Sequence, residues 1–153
     1  MHRLSLLAIL LAVAASAKEE PPVKPPVGIP TDALYFKGKW YRVYVERGGW
    51  KRARQRCLNL GGQLATVHEQ TTHGFIKELA SELPLWLGAE DEKADGTWHW
   101  LDGKRMTFTA WDEGQPNKLP REFYLIIARS GYWHDATENA ADVLGFVCEW
   151  KGK

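Results

Sequence analysis

Long hydrophobic runs are scarce in this sequence. Past residue 13 no apolar stretch approaches the roughly 20 residues a membrane-crossing helix needs, so membrane insertion by the body of the chain is not expected. An excess of one charge is lacking too. The 20 Lys plus Arg face 19 Asp plus Glu, and the balance becomes neutral once Arg3 is removed with the leader described below. A neutral chain without a basic block gives no reason to expect nucleic acid or an anionic membrane as partner. Catalytic signatures are missing as well. His68 and His73 are five apart rather than the four of a zinc-type HExxH, and no phosphate loop, cofactor fingerprint or Ser/His/Asp order stands out, so an enzyme is not expected. Cysteine is limited to Cys57 and Cys148, enough for one bridge.

What the chain does have begins with a leader. His2 and Arg3 are followed by an apolar run over residues 4–13 and by Ala15-Ser16-Ala17, the layout of a signal peptide over residues 1–17; an uncleaved N-terminal anchor is the rival reading. Export predicts a secreted, extracellular protein in an oxidising compartment, where Cys57 and Cys148 can pair and stay paired. A bridge there would close a loop of about 90 residues, for which chain entropy alone gives roughly 4–5 kcal/mol. Two buried thiols are the alternative. Residues 18–34 read as a linker, five of the eight prolines falling between Lys18 and Pro30, and the domain proper is expected over residues 35–153.

Residues 39–45 (KWYRVYV) alternate and are rich in aromatic and β-branched side chains, predicting a strand. Trp50, Ala53, Cys57 and Leu58 then share one face of a helix, and Gly61-Gly62 supplies the positive φ of its C-terminal cap. A short strand follows at residues 63–67. A second helix at residues 69–80 turns Phe75, Ile76, Leu79 and Ala80 inward, although Gly74 weakens it by about 1 kcal/mol. From Leu85 onward short apolar segments alternate with turns: LWLG at residues 85–88, Asp95-Gly96 and Asp102-Gly103, LII at residues 125–127, and FVCEW at residues 146–150. Two helices followed by several short strands make an α+β domain. Eight tryptophans suit either a core or an interface.

The motifs GGQLATVH (residues 61–68), LWLG, WHWLDG (98–103), AWDEGQPN (110–117), YWHD (132–135) and FVCEW, in this order after a helix carrying Cys57, resemble the C-type lectin-like domain from Tyr35 to Trp150. The resemblance implies that fold: two helices, short antiparallel strands and a long ligand loop. It also implies that Cys57 and Cys148 form the family's long-range disulfide. A second, shorter bridge found in many members is absent, Tyr124 and Glu138 standing at the matching positions, so the loop is either held by packing, with Trp111 and Trp133 as candidates, or more mobile.

In calcium-dependent members a Glu-Pro-Asn or Gln-Pro-Asp tripeptide, a following Glu and a Trp-Asn-Asp motif hold the ion that binds sugar hydroxyls. The resemblance therefore carries ligand roles onto Gln115, Asn117, Glu122, His134 and Asp135, and calcium-ligand roles onto Gln115, Asn117, Glu122 and Asp135, with a cis bond before Pro116. Calcium takes six to eight oxygens, and the sequence departs from that need at His134, whose imidazole offers nitrogen where the family has an amide oxygen. Gln-Pro-Asn is a hybrid of the two tripeptides and leaves sugar preference unread. At an auxiliary calcium site Asp91 and Asp95 match, but Lys118 and Phe123 replace the other acids. A transition-metal set of His134, Glu122 and Asp135 is a further alternative. The expectation is a carbohydrate-binding module with calcium absent or weakly bound; the alternative is a metal-independent protein-interaction domain that kept the fold.

Overall fold

A computed structural model describes residues 24–152; the leader and the start of the proline-rich stretch lie outside the described residues. The elements follow in the order β1 (Leu34–Phe36), β2 (Lys39–Tyr44), α1 (Trp50–Asn59), β3 (Gln63–Leu64), α2 (Gln70–Ala80), β4 (Leu85–Glu90), β5 (His99–Trp100), β6 (Glu122–Ile127), β7 (Trp133–Thr137) and β8 (Gly145–Lys151). They form one sheet in the order β1-β2-β8-β4-β6-β7, with β3 on β8 and β5 on β4. Strands β2 and β8 pair antiparallel from Lys39 opposite Lys151 to Tyr44 opposite Phe146, closing the two ends of the domain on each other. Strands β4 and β8 pair in parallel, so the sheet is mixed.

Alternation along the strands divides the core in two. Phe146, Cys148 and Trp150 of β8 with Tyr124 and Ile126 of β6 pack among Trp50, Ala53 and Cys57 of α1. Val147, Leu125 and Ile127 face the other way, onto Ile76 and Ala80 of α2. Both faces of the central strands are covered, which is why residues 125–127 are apolar without interruption. The indole N–H groups fasten helix to sheet: Trp50 donates to Leu87 O at 2.8 Å, Trp86 to Gly48 O at 2.8 Å and Trp150 to Leu60 O at 3.0 Å.

On α1 the expected stripe is present except at Leu58, which is half exposed: helical rotation carries it past the edge of the Trp50-Ala53-Cys57 face. Gly61 follows with φ +77°. A Cβ at Gly62 would lie 2.6 Å from Glu149 O, so the chain can slide under β8 only as glycine. Cys57 and Cys148 are bonded, their Cα atoms 5.7 Å apart. Glu149 is 3% exposed but fully satisfied: its carboxylate accepts from Lys39 Nζ, Gln63 Nε2, Thr66 Oγ1 and the Thr66 amide at 2.8–3.1 Å. The described part of the proline-rich stretch is turned rather than extended. The Ile29 amide donates to Pro26 O at 3.1 Å, and Ile29 and Ala33 join the α1-side core.

Candidate functional site

The long loop between β5 and β6 is pinned at its base by aromatic packing and backbone bonds to β7. Trp133 is fully buried, with Trp111, Phe108 and Trp100 at 6.0, 5.7 and 5.6 Å between ring centroids. The Asp112 amide donates to Trp133 O at 3.0 Å and the Trp133 amide to Ala110 O at 2.8 Å. Where the short disulfide is missing, a polar cluster takes its place. The Tyr124 ring packs on Trp50 at 4.7 Å and its hydroxyl donates to Glu92 at 2.6 Å. Lys51 Nζ lies 3.4 Å from Glu92 and 3.6 Å from Glu138. Burial and the Glu92 bond push the Tyr124 hydroxyl up to about 12.

Three of the sequence-selected residues meet at the tip. The Gln115–Pro116 bond is cis. Asp135, 5% exposed, accepts the Asn117 amide on Oδ1 at 3.0 Å and the Lys118 amide on Oδ2 at 2.9 Å. The Asn117 amide is shared with Gln115 Oε1 at 3.2 Å, and Asn117 Oδ1 accepts the Leu119 amide at 3.1 Å. These acceptor oxygens are therefore spent on the loop's own backbone. Glu122 lies beside them with Oε2 buried and unpartnered among the described residues; burial first, and then the Asp135 charge, lifts its carboxyl above the usual range. Glu122, Asp135, Lys118 and Asp91 line one cavity of about 200 Å³. The Lys118 ammonium reaches toward Gly96, 3.9 Å from where a Cβ there would sit, in the turn whose amides at Asp95 and Gly96 donate to Asp91.

His134 does not join this group. Neighbours on a strand point to opposite faces, and while Asp135 turns inward His134 Nε2 sits 3.0 Å from Asp112 Oδ2. Ser130 Oγ donates to the same oxygen at 2.6 Å. The Ser130 bond and then the His134 bond hold the Asp112 carboxyl down at about 2. Asp112 is the residue that sequence reasoning missed, although it stands inside the quoted AWDEGQPN motif. Its signal was position: it follows Trp111, which pairs with Trp133, so its side chain emerges beside the one that follows Trp133. Ser130, His134 and Asp112 do not make a nucleophile relay, because the serine donates to the carboxylate and meets no base. Among the described residues no group of three or more His, Cys, Asp and Glu is placed to hold a metal ion, and no helix is long and apolar enough to cross a membrane.

A family model described as the lectin C-type domain matches residues 46–150. The C-type mannose receptor 2 of Rattus norvegicus is 31% identical over 123 residues, 77% of this chain but only 8% of the receptor, so the chain spans a small part of that relative. Lithostathine of Rattus norvegicus is 28% identical, covering 97% of this chain and 94% of its own. Among solved structures, the carbohydrate-recognition domain of cow CD23 in the presence of a GlcNAc2Man3 oligosaccharide superposes with TM-score 0.76 at 28% identity, over 81% of this chain and 96% of that one. A Ca2+-dependent type II antifreeze protein in its Ca2+-free form shares the fold at TM-score 0.73 and 28% identity, over 80% and 99%. So does a calcium-independent one at 0.73 and 22%, over 81% and 95%, and the fold thus occurs with and without calcium dependence. The motif order, the Cys57–Cys148 bridge and these likenesses agree: this chain belongs to the C-type lectin family.

Proposed function

We propose that the chain is an extracellular ligand-binding module whose long-loop face recognises carbohydrate directly, without a bridging calcium ion. Gln115, Asn117 and Glu122 supply the polar groups of that face and Asp135 fixes its backbone, while His134, turned the other way onto Asp112, stands outside it. The observation that carries this reading is the pair of bonds from the Asn117 and Lys118 amides to Asp135, through which the loop's own donors fix its shape. The residues do not fit calcium, which wants six to eight oxygens. Asp135 is committed to backbone amides, His134 brings nitrogen and is committed to Asp112, and Glu122 is left as the one uncommitted carboxylate. With their oxygens engaged, the amide NH2 groups of Gln115 and Asn117 remain as donors toward sugar hydroxyls. The likeness to the carbohydrate-recognition domain of cow CD23, solved in the presence of an oligosaccharide, supports a carbohydrate ligand.

A protein ligand is the second reading, favoured by Leu119 and Tyr132, which are 56% and 43% exposed. Titration calorimetry with CaCl2 and a glycan array read in calcium and in chelator test both. No calcium heat, and array signals unchanged by chelator, are the expected results. Calcium heat together with glycans released by chelator overturns the proposal, and an array silent in both buffers transfers the site to a protein partner.

A further inference from the structure

Net neutrality conceals a local concentration of charge. Residues 47–56 hold Arg47, Lys51, Arg52, Arg54 and Arg56 and no acidic residue. Four of the five fall on α1, which buries Trp50, Ala53 and Cys57 and therefore presents its cations outward. All five are exposed. Lys51 and Arg56 have carboxylate partners in Glu92, Glu138 and Glu46. The other three have no carboxylate in ion-pair contact among the described residues: Arg47 donates to the Ala141 carbonyl at 2.8 Å, Arg54 lies over the Trp50 ring at 5.7 Å, and Arg52 extends past Gly48.

This arrangement works against the helix that carries it. Cations in the first turn oppose the helix dipole, which favours acids there, and α1 has none in that turn. Arg52 and Arg56 are like charges four apart, a destabilising pair on a helix surface. Ion pairing accounts for Lys51 and Arg56, but nothing in the fold accounts for Arg52. Charges placed against local stability are expected where a surface serves a ligand.

We infer that the exposed side of α1, with Arg52 near its centre, Arg54 on its flank and Arg47 just before the helix, is a second binding surface, for an extracellular sulfated polysaccharide. The helical cations run from Lys51 to Arg56, about 8 Å of axis, and Arg47 extends the row beyond the helix start, so several separate charges rather than one pocket are offered, which suits a polyanion better than a single small anion. Guanidinium groups pair with oxyanions through two parallel N–H bonds, and residues 51–56 (KRARQR) have the length and composition of the basic runs that form nucleic-acid and heparin patches. The exported state expected from the leader selects a sulfated glycan over nucleic acid.

Retention of the exported chain on immobilised heparin, against the same polymer after desulfation, is the test. Heparin binding that weakens as salt rises, is lost on the desulfated polymer, and falls about tenfold in the Arg52→Gln, Arg54→Gln pair is expected. An Asn117→Ala control in the long loop binds heparin as the parent does. Should the pair lower the melting temperature, Arg52→Gln alone, at an exposed side chain without a carboxylate partner, gives the same readout. Unchanged binding in these variants, equal binding to the desulfated polymer, or tighter binding to an oligonucleotide of matched charge overturns the inference.

Discussion

Replacing Asp135 by alanine tests the reasoning about the loop most directly. The side chain is 5% exposed and accepts two amides at 3.0 and 2.9 Å. Its removal strands the Lys118 amide in a partly buried turn and leaves the Asn117 amide only its 3.2 Å bond to Gln115 Oε1. Hydrogen bonds to a charged group contribute about 1.5–3 kcal/mol each, but Glu122 is relieved of a repelling neighbour, which offsets part of the loss. A net destabilisation of about 2–4 kcal/mol is expected, or roughly 8–15 °C for a domain of this size. The Glu122 carboxyl should fall toward its ordinary value in the variant, observable by NMR titration. Calcium supplies the opposing case. A site with a dissociation constant of about 1 mM would gain about 1.4 kcal/mol, some 5 °C, from about 10 mM calcium. The loop as described predicts essentially no shift of the parent melt. A neutral Asp135→Ala variant combined with a calcium-raised parent melting temperature would refute the staple and return the carboxylate to the ion.

Two further outcomes follow from groups away from the loop. His73 is 2% exposed, packs against Phe108, Tyr132 and Trp133, and neither ring nitrogen has a partner among the described residues. Burial, and then Lys77, lowers its pKa below 6.5, so as pH falls the unfolded chain takes up that proton first. The contribution is whole above about 6.5 and is lost as pH drops toward the folded value; urea melts of His73→Leu against the parent at pH 7 and pH 5 should show the parent losing more, and equal losses would exclude this account. The paired Cys57→Ala, Cys148→Ala variant opens a bridge of sequence separation 91 and should lose up to roughly 4–5 kcal/mol in urea, whereas a loss under about 1 kcal/mol would show that the denatured chain is restrained by other means.

Much of the fold was legible because burial leaves a period in the sequence. Trp50, Ala53 and Cys57 mark the inward face of α1 by spacing alone, and the unbroken run at residues 125–127 announces a strand covered on both sides. Legibility fails where one residue sits at the margin of a stripe. Leu58 fits the helical period yet is half exposed, because rotation around the helix carries it past the edge of the face that Trp50, Ala53 and Cys57 bury. The strand expected at residues 63–67 shortens to Gln63–Leu64: beyond it Ala65 splits its bonds between Val147 and Gly88, and the segment runs between two strands instead of along one.

The candidate site was legible in its residues and not in their bonding. Periodicity reports which way a side chain faces, but whether a carboxylate meets a cation, an imidazole or a backbone amide depends on loop geometry that no spacing encodes. Asp135 and His134 show the difference. Adjacent in the sequence and joined in one motif, they suggest one ligand set. The strand sends them apart, Asp135 to the Asn117 and Lys118 amides and His134 to Asp112. The same limit applies to charge: a count of 20 against 19 is a statement about the whole chain, whereas a ligand meets only one face of it. On α1 the helical period that buries Cys57 also turns Lys51, Arg52, Arg54 and Arg56 outward. A neutral total and a cationic face are thus consequences of one pattern, and only the placement of carboxylates around that face, Glu46, Glu92 and Glu138 beside two of the five cations, decides which charges remain available.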